Sequence, residues 1–244
     1  MRFPAPVILA CFAAFSAGCE HMPGYPSQPV RPPSQVLDFT TLFSQNCSGC
    51  HGANGQNGPA IDLANPEYQA LVDDATLRRW ISGGMPGTEM PAFAQSAGGM
   101  LTAAQVNALV AGMRARWSQP GVSGEPTPPP YAQTQKGDAD AGEQTYRVRC
   151  LACHAPSHHQ ITSPDFLALV GNQALRSIII AGRPDIGQPD WNHLGPAGKP
   201  AQPLSPHEVD NIVAYLAGLR DSAPAARAAK DIVAAPASAV STGR

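Results

Sequence analysis

Two copies of one pentapeptide constrain this 244-residue chain more than any other feature: Cys47-Ser48-Gly49-Cys50-His51 and Cys150-Leu151-Ala152-Cys153-His154. Each places two thiols on successive turns, with an imidazole directly after the second. That set suits a ligand that takes two covalent bonds along one edge and a nitrogen donor on one face. A porphyrin with two vinyl groups is such a ligand: the thiols form thioethers and the histidine reaches the iron as proximal ligand. Zinc sites and thioredoxin-like dithiols also use Cys-x-x-Cys. Here each copy carries an immediate His, and no spare cysteine pair exists to complete a zinc site. The pattern therefore predicts two covalently bound haem c groups, attached at Cys47, Cys50, Cys150 and Cys153, with His51 and His154 as axial ligands of the iron.

The remaining two of six cysteines lie near the N-terminus, Cys11 inside an apolar leader and Cys19 at its end, so no disulfide framework is available. Residues 1–18 read as a signal peptide, with Arg2 as the positive region and an apolar run from Val7 to Phe15 that is too short to span a bilayer. Phe15-Ser16-Ala17-Gly18-Cys19 resembles a bacterial lipoprotein cleavage site, although Ser16 stands where a leucine-like residue is usual. The resemblance implies lipidation of Cys19, against plain signal cleavage. Residues 19–37 are rich in proline and suit a tether. The expected mature protein is exported to the periplasmic side and anchored to a membrane as a lipoprotein without crossing it. A formal net charge of −2 gives no reason to expect a nucleic-acid partner.

A proline-rich stretch, 118–136, holds Pro120, Pro126, Pro128, Pro129 and Pro130 without apolar periodicity and reads as a semi-rigid linker. It divides an expected domain 1 (38–117) from an expected domain 2 (137–221), and an Ala/Pro-rich tail expected to be disordered follows at 222–244. The domains are an internal repeat. An offset of 98 lays Asn65-Pro66-Glu67-Tyr68-Gln69-Ala70-Leu71-Val72 on Ser163-Pro164-Asp165-Phe166-Leu167-Ala168-Leu169-Val170, Leu77-Arg78 on Leu175-Arg176, and Gly84-Met85-Pro86 on Gly182-Arg183-Pro184. The offset is 103 on either side of that block.

Both copies read as all-α. The segments from Asp38 to Asn46 and from Ala141 to Arg149 are helix-compatible, with Phe43 and Tyr146 four residues ahead of the first cysteine. Thr102 and Gln105 form a capping box ahead of Val106, Leu109, Val110 and Met113, which recur at helical spacing. Ser205, Pro206 and Glu208 begin a matching helix with Val209, Ile212, Val213 and Leu216. Domains of this size have marginal cores, which a buried haem would complete.

These features together resemble class I bacterial cytochromes c, in both domains. The residues that carry the resemblance are the two motifs, Gly58-Pro59, the block Gly87-Thr88-Glu89-Met90-Pro91-Ala92-Phe93, and the capped C-terminal helices. It implies two tandem small helical cytochrome c domains, Met90 as the distal ligand of the first iron, and the Pro59 carbonyl as acceptor of the His51 N–H. A thioether suits the iron, and a hydrogen bond to the far nitrogen orients an axial imidazole. Met85 is the rival of Met90, and core filling is the ordinary role of Met85, Met100 and Met113.

Domain 2 departs from this pattern. No methionine follows His154, the repeat puts Gln188 in the slot of Met90, and Ala155-Pro156-Ser157-His158-His159 replaces the Gly-Pro segment. His193 and Gln188 compete with an open position as the sixth ligand of the second haem; His158 and His159 follow the motif too closely to reach the opposite face with ease. His207 is the second residue of a capped helix and is expected to be exposed. Trp80, Trp191, Arg78, Arg176 and Arg183 either contact haem propionates or pack and face water.

The function expected is electron transfer in a bacterial respiratory chain, between a quinol-oxidising complex and a terminal oxidase or reductase, with no catalytic residue of its own. The alternative is a dihaem enzyme or sensor, peroxidase-like or small-ligand binding, that uses an open second haem.

Overall fold

The computed structural model describes residues 31–122, 126–155, 161–195 and 201–222. The leader with Cys11 and Cys19, the pair His158 and His159, and the tail from 223 lie outside those residues. A first unit ends at Val36 and contains a short 3-10 turn, Pro33–Gln35. The compact unit that begins at Leu37 contains both repeats.

Four helices of the first repeat start from a capping side chain. Helix α1 (Phe39–Asn46) is capped by the Asp38 carboxylate, which accepts from the Thr41 N–H at 2.8 Å. One turn of helix, α2 (Ser48–His51), contains the first motif. Helix α3 (Pro66–Leu71) has Asn65 as its cap and Pro66 at its first position, and α4 (Asp74–Gly83) is capped by Asp73. Helix α5 (Ala103–Trp117) carries the expected capping box, in which the Thr102 hydroxyl accepts from the Gln105 N–H and the Gln105 side chain accepts from the Thr102 N–H.

The second repeat follows in the same order: α6 (Ala139–Arg149), α7 (Pro164–Leu169), α8 (Asn172–Ala181) and α9 (Pro206–Ser222). Helix α6 begins two residues before the expected Ala141, because the Asp138 carboxylate accepts from the N–H groups of Asp140 and Ala141. At α9, Ser205 and Glu208 cap each other reciprocally. Among the described residues there is no strand, only the isolated bridges Ala94–Leu101 and Arg183–Gln188. The all-α expectation holds.

In each half the helix before the motif crosses the C-terminal helix, and a glycine sits at the crossing. A Cβ on Gly112 of α5 would lie 2.1 Å from the Phe39 ring, and one on Gly142 of α6 would lie 2.0 Å from the Asn211 carbonyl oxygen. Only glycine allows the helices to approach this closely. Around the first crossing Phe39, Phe43 and Trp117 pack as an aromatic cluster, the indole edge-on to both rings. The positions expected on the inner faces are buried: Val106, Leu109, Val110 and Met113 in α5, and Val209, Ile212, Val213 and Leu216 in α9.

The two repeats pack on each other through α3 and α8. Ala181 joins the first core, Leu71 packs against the second, and the buried Asn65 amide donates to the Ala181 carbonyl at 2.7 Å. The proline-rich connection is docked rather than a free spacer. Pro129 is buried, the Tyr131 hydroxyl accepts from the Trp80 indole N–H at 2.7 Å, and the Pro130 and Tyr131 carbonyls accept from Arg176 at 3.0 and 3.1 Å. The segment thereby touches both repeats. No helix among the described residues is long and apolar enough to cross a membrane.

Candidate functional site

Cys47 ends α1, its N–H donating to the Phe43 carbonyl, and the chain then turns so that the N–H groups of Cys50 and His51 both donate to the Cys47 carbonyl, at 3.2 and 3.0 Å. The second motif has the same turn: Cys150 N–H donates to Tyr146, and Cys153 and His154 donate to the Cys150 carbonyl at 3.1 and 2.9 Å. In both, the first cysteine is half-buried against its core and the second is exposed, and all four are free of disulfides. Burial pushes the Cys47 and Cys150 thiols up to about 12, so neither is a reactive thiolate at neutral pH. Four unpaired cysteines, each pair followed by a half-buried His, fit two covalent haem attachments.

The His51 ring is fixed from behind. Its Nδ1 lies 2.8 Å from the Ile61 carbonyl oxygen, which leaves Nε2 as the nitrogen to meet an iron. Burial, more than any other cause, lowers the His51 pKa and so favours the neutral, ligating form. The acceptor corrects the expectation of Pro59. The Ala60 N–H donates to the Cys50 carbonyl at 2.9 Å, which turns Pro59 outward, and the chain returns over the imidazole two residues later.

In the loop that carries Met90, the Met85 N–H donates to the Met90 carbonyl at 3.1 Å, and the Thr88 hydroxyl accepts from the Met90 N–H at 3.2 Å while donating to the Met85 carbonyl at 2.8 Å. This closed loop holds Met90 half-buried at the edge of the first core. Met85 is buried, Met113 belongs to the core, and Met100 is 76% exposed.

The same loop is present in the second half. The Arg183 N–H donates to the Gln188 carbonyl at 3.0 Å, so Gln188 stands in the backbone slot of Met90 and Arg183 in that of Met85. The Gln188 amide donates to the Ile178 carbonyl at 3.2 Å. His193 is exposed, with Nδ1 2.8 and 2.9 Å from the two Asp190 oxygens. The two residues considered for the second iron are thus each engaged by a neighbour. Tyr146 adds a contact that Phe43 cannot make, donating its hydroxyl to the His154 carbonyl at 3.2 Å. His207 is exposed at the second position of α9, as expected.

The polar residues weighed as propionate partners are occupied by protein. Trp80 donates to Tyr131, Arg78 to Asn107 and Asp74, Arg176 to Asp210 and the connection, and Arg183 to Asp185 and Gly58; Trp191 is buried in the second core. Sequence reasoning missed Ile61 and the Arg183–Asp185 pair. The only signal for the latter was that a charged residue replaces Met85 in the repeat, two positions before an aspartate.

No curated protein matches the chain. The family described as cytochrome c oxidase, cbb3-type, subunit III matches residues 34–111, a span that contains Cys47, Cys50, His51 and Met90. The match supports a cytochrome c over residues 34–111, and a cytochrome c domain implies covalently bound haem c and electron transfer in respiratory chains.

Proposed function

We propose that the chain is a dihaem c-type cytochrome that passes electrons between a quinol-oxidising complex and a terminal oxidase or reductase, tethered to the periplasmic side of a membrane by a lipid on Cys19. The observation that carries this reading is the repeated turn in which Cys50 and His51 donate to Cys47, and Cys153 and His154 to Cys150. When bound, each haem supplies a one-electron iron couple. The chain's own work is to hold it: Cys47, Cys50, Cys150 and Cys153 fix the edge, His51 and His154 supply the proximal nitrogen, and Ile61 orients His51. In the first half Met90 would supply a soft ligand to the iron, which would favour a high potential. The subunit III match at residues 34–111 supports an oxidase among the redox partners.

A second reading has one observation in its favour. Gln188 fills the slot of Met90 and its amide is tied to Ile178, which would leave the second iron without a strong distal ligand. An open iron suits a peroxidase-like enzyme or a small-ligand sensor.

A potentiometric titration followed by absorption and EPR separates these readings. The carrier predicts two one-electron waves, a thioether-to-iron absorption band on one wave alone, and no peroxide turnover. Thioether bands on both waves would overturn the account of the second half. Carbon monoxide binding to half the iron, together with peroxide consumption, would establish the enzyme or sensor reading.

A further inference from the structure

Arg183 and Asp185 belong to the second repeat, yet their side chains are committed to the first. Arg183 is 6% exposed and binds Asp185 through two parallel contacts, Nε to Oδ1 at 2.9 Å and Nη2 to Oδ2 at 2.8 Å. The same Nη2 donates to the Gly58 carbonyl at 2.9 Å, and Asp185 Oδ2 accepts from the Asn57 N–H at 2.7 Å. Residues 57 and 58 are therefore held by a cation and an anion reaching across from the other half.

The held residues lie directly on the first motif. A Cβ placed on Gly58 would be 2.6 Å from the His51 carbonyl carbon and 2.3 Å from the Cys50 carbonyl oxygen, so no atom separates this loop from the proximal turn. Asn57 sits at φ 62°, in the left-handed region that asparagine adopts more readily than other side chains. Four residues after Asn57, Ile61 provides the acceptor for His51. The Asn65 amide, bonded to the Ala181 carbonyl, ties the far end of this segment to the same part of the second half.

On the reading that the first half holds a haem at His51, we propose that the Arg183–Asp185 pair of the second half sets the reduction potential of that first haem. It does so in two ways, by fixing the 57–61 loop that orients His51 and by placing a buried cation and a buried anion behind the proximal turn. Oxidation adds one positive charge at the iron. A nearby guanidinium opposes that change and a carboxylate favours it, and both effects are strengthened by the low dielectric of a buried site. The two side chains thus have opposite signs of action on one centre. In the first repeat the equivalent of Arg183 is the uncharged Met85, so this pair acts from the second half on the first.

The test uses the full-length holoprotein and three variants, R183Q, D185N and R183K. Covalent haem is counted first. Fewer than two per chain overturns the dihaem reading itself, before any variant is considered. Each protein is then titrated, the first haem being followed by the thioether-to-iron band. R183Q is expected to lower the midpoint of that wave by a tenfold change in the reduced-to-oxidised ratio, about 59 mV for one electron. D185N is expected to raise the same midpoint, R183K to retain most of the original value, and the second wave to stay in place in all three. Loosened packing would move R183Q and D185N in the same direction. That result, equal shifts of both waves, or no shift in either variant would overturn the proposal.

Discussion

Arg176 lets the cost of a buried charge be worked from its contacts. The residue is 2% exposed and Asp210 is 1% exposed, with Nη1 2.5 Å from Asp210 Oδ1. Its Nε and Nη2 donate to the Pro130 carbonyl at 3.0 and 2.8 Å, and among the described residues the other side-chain partner of the Asp210 carboxylate is the Thr134 hydroxyl, which donates to it at 3.2 Å. R176M leaves the carboxylate buried with one neutral partner and removes the donors from Pro130. Breaking a buried pair in this way costs about 3–5 kcal/mol, most of it desolvation of the abandoned charge. D210L, which strands the guanidinium instead, is expected to cost a similar amount. The double variant R176M/D210L has no buried charge left, and its loss should be about 1–3 kcal/mol, the cost of one or two orphaned polar groups at Pro130 and Thr134. The assay is denaturant unfolding of the holoprotein followed by far-UV circular dichroism, analysed as a double-mutant cycle. A single-variant loss below about 1 kcal/mol, or a double-variant loss equal to the sum of the singles, would refute the reasoning.

Three further outcomes follow from other sites. M90A should abolish the thioether-to-iron band and lower one midpoint; an unchanged spectrum would make Met85 the ligand. G142V places a branched side chain where a Cβ would already be 2.0 Å from the Asn211 carbonyl, so it should separate α6 from α9 and destabilise the chain by about 3 kcal/mol in the same unfolding assay, and a loss within error would contradict the close crossing. Asp185 is held below its ordinary value of 3.8 chiefly by its hydrogen bonds from Arg183. A depressed carboxylate stabilises the fold above the unfolded value and loses that effect as pH falls through the folded one. The stability difference between wild type and D185N should be constant above pH 3.8 and shrink below it, and a difference that widens on acidification would contradict the pairing.

Much of this structure was legible because its signals are local. The caps at Thr102 and Ser205 and the apolar spacing of Val106, Leu109, Val110 and Met113 act within a few residues, and each produced the helix it implied. The repeat register was legible too, since Gln188 and Met90 occupy the same hydrogen-bonded slot. Illegible were the contacts made across sequence. Ile61 rather than Pro59 faces His51 because the Ala60 bond to Cys50 turns the loop, and no spacing rule encodes that bond. The connection 118–136 lacks apolar periodicity and reads as a spacer, yet its carbonyls are buried by Arg176 from a helix about 45 residues away in sequence. Arg176 and Arg78 are equivalent in the repeat, but one is buried and the other exposed, because only the first is covered by that connection.

The central claim is that both halves hold a covalent haem, and it is tested most directly by the intact mass of the mature protein after acid extraction of any non-covalent haem. The account predicts the polypeptide plus two haems in the wild type, and plus one in C150S/C153S. A wild-type mass with a single haem, or none, would contradict it.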